Sequence, residues 1–187
     1  MTHYDIKCDN VLIDFSNSSG GQGLQKAGSL SEDDRLRLAL ADFGECKMFS
    51  DDKDELDQRA RGMEYCRPPE MLQLNYNTRK DLDKYDRRKQ VGTNRLSDIW
   101  SAGCLFFELL TGEYLFYDPN YSLFLQRVTK STEPLFQPDK LEMINNNIYL
   151  IDFMKYILVR DPRLRPSIDN VVKRFEHVYA LLVSTTA

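Results

Sequence analysis

Near the start of the chain, "HYDIKCDN" places a histidine, two aspartates, a lysine and an asparagine between His3 and Asn10. The spacing is H-x-D, with Lys7 two and Asn10 five positions after Asp5. A carboxylate on a tight loop can accept the proton of an attacking hydroxyl, and an ammonium two residues on can neutralise a transferring phosphoryl group. An amide oxygen can ligate a divalent cation that bridges phosphates. The same residues also read as a polar turn ahead of a strand, because short motifs match by chance.

A second constellation is "ADFGE", residues 41–45. Asp42 offers another oxygen ligand, Phe43 an apolar anchor and Gly44 a hinge. D-F-G alone is a common tripeptide. It gains weight because it ends the apolar run "LRLALAD" (36–42), which should pair with "VLIDF" (11–15) and so set Asp42 beside Asn10. Two oxygen ligands converging on one point suit a phosphate-bound Mg²⁺.

The elements that must position these residues follow from periodicity. Between the two strands, "SNSSGGQGLQKAGSLSEDD" (16–34) is too poor in apolar residues to order itself and reads as a Gly/Ser-rich hairpin insertion. Its "GGQG" lacks the G-x-G-x-x-G spacing and no helix pattern follows, so a linker is the better reading. Residues 45–61 and 78–95 are charged and aperiodic, as surface loops are. The second half is helical. "LSDIWSAGCLFFELLTG" is apolar almost all round and stops at Gly112, which predicts a helix buried at the centre of a domain. Ile148, Ile151, Met154, Ile157 and Leu158 share a face of the next pattern. After Ser167 as N-cap, Ile168, Val171, Val172, Phe175, Val178, Tyr179 and Leu182 form an i, i+3, i+4 stripe. The fold class is mainly α with a small β-hairpin, a helical bundle around one buried helix.

Composition excludes several classes. The 187 residues suit one domain, with 42% hydrophobic and 29% charged residues. A net charge of −4 leaves no footprint for nucleic acid. No apolar run approaches the roughly 20 residues that span a bilayer, and no signal peptide is visible. Cys8, Cys46, Cys66 and Cys104 are scattered, which speaks against zinc or a disulfide framework and for an intracellular, cytoplasmic setting.

"HYDIKCDN", "DFG", "PPE" (68–70), "SDIWSAG" (97–103) and "DPRLRPS" (161–167), taken in order, resemble the C-terminal lobe of a eukaryotic protein kinase. The resemblance covers nearly the whole chain. It implies a partial kinase domain over 1–183: catalytic loop 3–10, hairpin insertion 16–34, activation segment 42–70, charged insertion 78–95 and helical floor 96–183. Asp5 resembles the catalytic base, and Lys7 the γ-phosphate lysine of Ser/Thr-directed members. Asn10 and Asp42 resemble the Mg²⁺ ligands, and Leu12 the apolar residue under adenine, continued by Leu105 and Leu109. His3, Phe43 and Gly44 look like structural members of the second apolar column and its hinge, with Asp98 as the anchor on the loop backbone. Glu70 and Arg165 match a buried structural ion pair. The implied cofactors are ATP and Mg²⁺, and the implied substrate is a protein Ser or Thr hydroxyl.

Departures from the family pattern carry their own expectations. Tyr4 stands where the family has an arginine that meets an activation-loop phosphate, so activity should not depend on phosphorylation there. In "RGMEYCRPPE", Gly62 or Met63 takes the place of the threonine that bonds the catalytic residues. The glycine-rich loop, the V-A-I-K lysine and its glutamate are not found, so the N-lobe is absent. This chain alone is then expected to lack competence, to bind nucleotide weakly, to need the missing N-lobe as a partner and to expose Leu12. It reads as a fragment of a functional Ser/Thr kinase. The alternatives are a non-catalytic, kinase-derived binding module and, further off, a small-molecule phosphotransferase.

Overall fold

A computed structural model describes residues 1–15, 36–50, 55–77, 92–130, 132 and 134–186. The expected hairpin insertion 16–34 and residues 78–91 of the charged insertion lie outside the described residues. The chain is mostly helical with one two-stranded antiparallel sheet. Strands β1 (Val11–Phe15) and β2 (Leu36–Leu40) pair in the register Val11 to Leu40, and the ladder ends on Ala41 N–H donating to Asn10 C=O at 2.8 Å. Among the described residues six α-helices follow: α1 (Pro69–Asn77), α2 (Ser97–Thr111), α3 (Tyr121–Thr129), α4 (Pro138–Met143), α5 (Ile148–Ile157) and α6 (Ile168–Thr186). No helix among the described residues is long and apolar enough to cross a membrane.

Helix α2 is the centre of the core, as its composition predicts. Trp100 and Phe107 are fully buried, joined by Phe124, Val128 and Met154 from α3 and α5. Trp100 stacks on Phe116 at 5.4 Å between ring centroids. Close approach requires Gly103, where a Cβ would sit 2.7 Å from the Leu158 side chain. The α2 C-terminus departs from expectation: Leu109 and Leu110 are 65% and 43% exposed, because apolar content all round a helix does not say where its packing partners end.

The stripe on α6 is likewise wider than its partner. Val171 and Val178 are buried and Leu182 half-buried, whereas Ile168, Val172, Phe175 and Tyr179 are exposed. The helix lies by one edge on the cluster around Phe153 and Ile157. In α5, Phe153 joins the buried face and Ile148 leaves it: Asn147 caps the helix by accepting from the Tyr149 and Leu150 N–H groups, which puts Ile148 outside the core.

The reading of 45–61 and 78–95 as plain surface loops also needs correction. Asp57 and Thr93 are buried and exchange backbone hydrogen bonds, each 2.8 Å, in an antiparallel bridge. Arg61 Nε donates to Asp57 Oδ2 at 2.6 Å. A charge pattern without periodicity conceals such a contact, because its partner lies 36 residues away.

The deepest polar contact joins α1 to the segment ahead of α6. Arg165, its side chain wholly buried, grips Glu70 through Nη1 and Nη2 at 2.7 and 2.6 Å. Its remaining donors reach the Leu96, Val159 and Arg160 carbonyls at 3.0, 2.7 and 3.4 Å, so each nitrogen of the guanidinium has a partner. Arg165→Met should therefore cost about 3–5 kcal/mol in urea unfolding, since it strands the Glu70 charge. The double variant with Glu70→Gln should cost less than the single one. Equal unfolding midpoints for Arg165→Met and the unsubstituted chain would refute this account.

Candidate active site

The loop His3–Asn10 is held to the core by Asp98 in the first turn of α2. Its Oδ2 accepts from His3 N–H at 2.7 Å and its Oδ1 from Tyr4 N–H at 2.9 Å. Burial pushes the Asp98 carboxyl up from the usual carboxylate range, against the opposing pull of these two bonds. The clamp keeps Tyr4 in the left-handed region at φ 68°, a conformation a bulky residue rarely adopts without such support. The His3 ring fixes what comes next. Asp5 N–H donates to its Nδ1 at 3.2 Å, so the proton sits on Nε2, which meets the Ala41 carbonyl at 3.0 Å. The ring also packs edge-on against Phe43 at 4.8 Å.

Asp5 is buried and receives three donors. Met63 N–H reaches Oδ1 at 2.9 Å, while Asn10 Nδ2 and Lys7 Nζ reach Oδ2, each at 2.9 Å. Burial alone would raise the carboxyl. The Lys7, Met63 and Asn10 contacts outweigh it and hold the group below its ordinary 3.8. The hydrogen bond to Asp5 raises Lys7 despite its own burial, with Asp9 and Asp42 adding to the effect. The site is thus an ionised carboxylate beside a cation, aimed by three fixed donors.

The expected oxygen pair can be tested against its surroundings. Asn10 Nδ2 also donates to the Asp5 carbonyl at 2.8 Å. With its NH₂ committed to Asp5, the amide presents its carbonyl oxygen as the remaining acceptor. Asp42 follows the ladder in the left-handed region at φ 60° and accepts from Gly44 N–H at 3.2 Å through Oδ1. It is exposed, so its carboxylate is open to a cation. Among the described residues no group of three or more His, Cys, Asp and Glu could hold a metal. The Asn10 amide oxygen and the exposed Asp42 carboxylate lie at the same end of the hairpin, where Ala41 N–H meets Asn10 C=O. Leu12 and Leu109 are 57% and 65% exposed and Leu105 is half-buried.

Three contributors are invisible as side-chain motifs. Met63 acts through its backbone N–H, the contact a threonine hydroxyl would otherwise offer. Gly62, at φ +69°, lies so close to the loop that a Cβ would stand 2.0 Å from Tyr4 O. The only signal for it was the glycine itself in "RGM". Tyr4 is buried rather than open to an activation-loop phosphate. Its hydroxyl is 3.0 Å from Thr93 Oγ1, the Arg61 guanidinium lies over its ring at 5.7 Å, and burial pushes its phenol up to about 12.

The comparisons agree in kind. A family model described as the protein kinase domain matches residues 1–176. A probable serine/threonine-protein kinase of Dictyostelium discoideum is 36% identical over 98% of this chain, which spans 8% of that protein. The serine/threonine-protein kinase YPK2/YKR2 of Saccharomyces cerevisiae is 25% identical over 96% of the chain and 20% of its own length. The MAP kinase kinase mkk-4 of Caenorhabditis elegans is 28% identical over 97% of the chain and 40% of its own length. The chain thus spans less than half of each of these relatives. A crystal structure of the Rad53 kinase domain and SCD2 shares the fold at a TM-score of 0.57 and 20% identity, covering 92% of this chain and 46% of that one.

Two outcomes follow from this geometry. Gly62→Ala should lower stability by roughly 1–3 kcal/mol, as backbone strain of this kind does, and the urea midpoint measures it. An unchanged midpoint would mean that the loop and the 59–67 segment are not locked at this point. Because the Asp5 carboxyl is lowered on folding, its stabilisation is complete above the unfolded value near 3.8 and is lost as pH falls through the folded value. Thermal unfolding of Asp5→Asn should consequently lose less between pH 5 and pH 3, taken as approximate limits, than that of the unsubstituted chain.

Proposed function

The chain belongs to the protein kinase family, and from that premise we propose that it is the C-terminal lobe of a domain that transfers phosphate from Mg-ATP to protein Ser and Thr hydroxyls. In this reading residues 1–183 form a partial domain: catalytic loop 3–10, activation segment 42–70 and helical floor 96–183. Relatives that are serine/threonine kinases support the choice of acceptor.

The observation that carries the proposal is the convergence of Lys7, Asn10 and Met63 on one buried carboxylate. Asp5 orients the acceptor hydroxyl and takes its proton as the new P–O bond forms and the bond from the γ-phosphorus to the departing ADP oxygen breaks. Lys7, beside it, is placed to counter charge on the transferring group. Asn10 and Asp42 would hold Mg²⁺, which when bound supplies electrostatic stabilisation of the phosphates. His3 and Asp98 position the loop, Phe43 and Gly44 position Asp42, and Glu70 with Arg165 fixes the end of the activation segment. Leu12 would lie under the adenine. A small lobe would supply the other half of the nucleotide site.

The activation segment is tied internally, which supports activity without loop phosphorylation. Arg61 pairs with Asp57 at 2.6 Å, Lys47 with Glu55 at 3.1 Å, and Ser50 Oγ donates to Glu55 at 2.6 Å. Phosphatase treatment of the intact kinase should leave its activity unchanged, and abolition of activity through Ser50 would overturn this.

A non-catalytic binding module is the second reading, favoured by the buried Tyr4 in place of the expected arginine. The decisive experiment fuses a kinase small lobe to residue 1. Calorimetry should then detect Mg-ATP, and Asp5→Asn should slow phosphate transfer by about 10²- to 10⁴-fold. Binding without transfer, or transfer indifferent to Asp5→Asn, would sink the assignment of the base. No Mg-ATP binding at all would favour the module.

A further inference from the structure

Beside Asp5 the surface dips into a depression of about 380 Å³, lined by Asp5, Lys7, Glu45, Arg59, Arg61 and Arg67 among others. In a chain of net charge −4, this wall holds four cations against two carboxylates. The distances show which cations are already matched. Lys7 is paired with Asp5 at 2.9 Å, and Arg61 with Asp57, behind the wall, at 2.6 Å. Glu45 is 3.6 Å from Arg61 and 3.9 Å from Arg59, beyond hydrogen-bond length in both cases.

Arg67 is different. Its Nε and Nη2 donate to the Gly62 carbonyl at 3.1 and 2.7 Å, and Nε also to the Arg61 carbonyl at 2.9 Å. Neutral carbonyls hold the guanidinium in place without cancelling its charge, and no carboxylate pairs with it among the described residues. Among the described residues the Arg59 side chain, 66% exposed, has only the long contact to Glu45. A guanidinium already fixed in one orientation loses little side-chain freedom when it receives an anion, and its fork suits carboxylate or phosphate. The chain also sets the location: Gly62 accepts from Arg67, and the next residue, Met63, donates to Asp5. An anion at Arg67 would therefore lie close to a hydroxyl at Asp5.

We propose that this depression reads an anionic side chain flanking the acceptor hydroxyl of the substrate peptide, with Arg67 and Arg59 as the specificity-determining residues. The anion is the carboxylate of Asp or Glu, or the phosphate of a residue already phosphorylated. The proposal rests on the kinase reading for its choice of a peptide as occupant, but the depression can be assayed without phosphate transfer.

The test is fluorescence anisotropy on the chain itself, with labelled Ser peptides identical except for the residues flanking the serine: Glu, phosphoserine, Ala or Lys. The Glu or phosphoserine peptide should bind about tenfold tighter than the Ala peptide, and the Lys peptide more weakly. The preference should shrink as salt rises from about 0.05 to 0.5 M. Whichever anionic peptide binds more tightly identifies the source of the anion. Arg67→Met and Arg59→Met should each reduce the preference while leaving binding of the Ala peptide in place. Arg67 also braces its own segment and its replacement can perturb folding, so the charge reversal Arg59→Glu, at an exposed side chain, decides independently: it should shift preference toward the Lys peptide. Equal binding of all four peptides, or an acidic preference that survives Arg59→Glu combined with Arg67→Met, overturns the proposal. Acidic preference in a protein whose phosphate transfer ignores Asp5→Asn would remove the assigned base and keep the depression. Transfer that depends on Asp5 without acidic preference would do the reverse.

Discussion

The carboxylate of Asp98, set in the first turn of the buried helix α2, captures two successive N–H groups of the loop that carries Asp5. Everything in the candidate site is referred to that clamp. Helix α2 is anchored in the core by the fully buried Trp100 and Phe107, and Gly103 lets Leu158 approach it closely. The loop is thereby tied to the core, in which His3, Tyr4 and Asp5 are themselves buried. Its left-handed bend at Tyr4 turns the chain so that Asp5 faces Met63 and Lys7. Two hydrogen bonds to one ionisable group are a compact way to fix a strained loop, at the cost of holding a charge where burial disfavours it.

Asp5 illustrates the opposite balance. It too is buried, but a cation and two further donors more than offset desolvation, so the carboxylate remains charged. The two aspartates are shifted in opposite directions by their surroundings, one raised and one lowered. In the proposed reading their roles divide accordingly, Asp98 serving the fold and Asp5 the chemistry. The Glu70–Arg165 pair is a third solution, in which mutual charge and backbone carbonyls satisfy a fully buried guanidinium.

How much of this was legible in the sequence depended on whether a function rests on side-chain type at fixed local spacing. His3, Asp5, Lys7 and Asn10 lie on one loop, so their spacing nearly determines their geometry, and the hairpin register brings Asp42 to the same end. Glu70 and Arg165 were readable only through the family resemblance, being 95 residues apart. Met63 contributes a backbone N–H, which its residue type does not announce. Asp57 and Thr93 meet across the chain within stretches whose charge suggested plain solvated loops. The stripes on α2, α5 and α6 were visible, but not how far each was covered, because coverage belongs to the neighbouring element. Ile148, Leu109 and Tyr179 are apolar residues left outside for that reason.

The burial of Tyr4 has a consequence for how such a chain can change over generations. Its hydroxyl meets Thr93, its ring lies under Arg61, and both of those contact Asp57. Positions 4, 57, 61 and 93 consequently make one exchangeable unit, in which a substitution at one site alters what the other three can accept. An arginine at position 4 would bring a second guanidinium to a place already balanced by Arg61 and Asp57. Replacing Tyr4 alone would take away the partner that Thr93 Oγ1 and the Arg61 guanidinium have there, so accommodating the change calls for changes at the other positions of the unit.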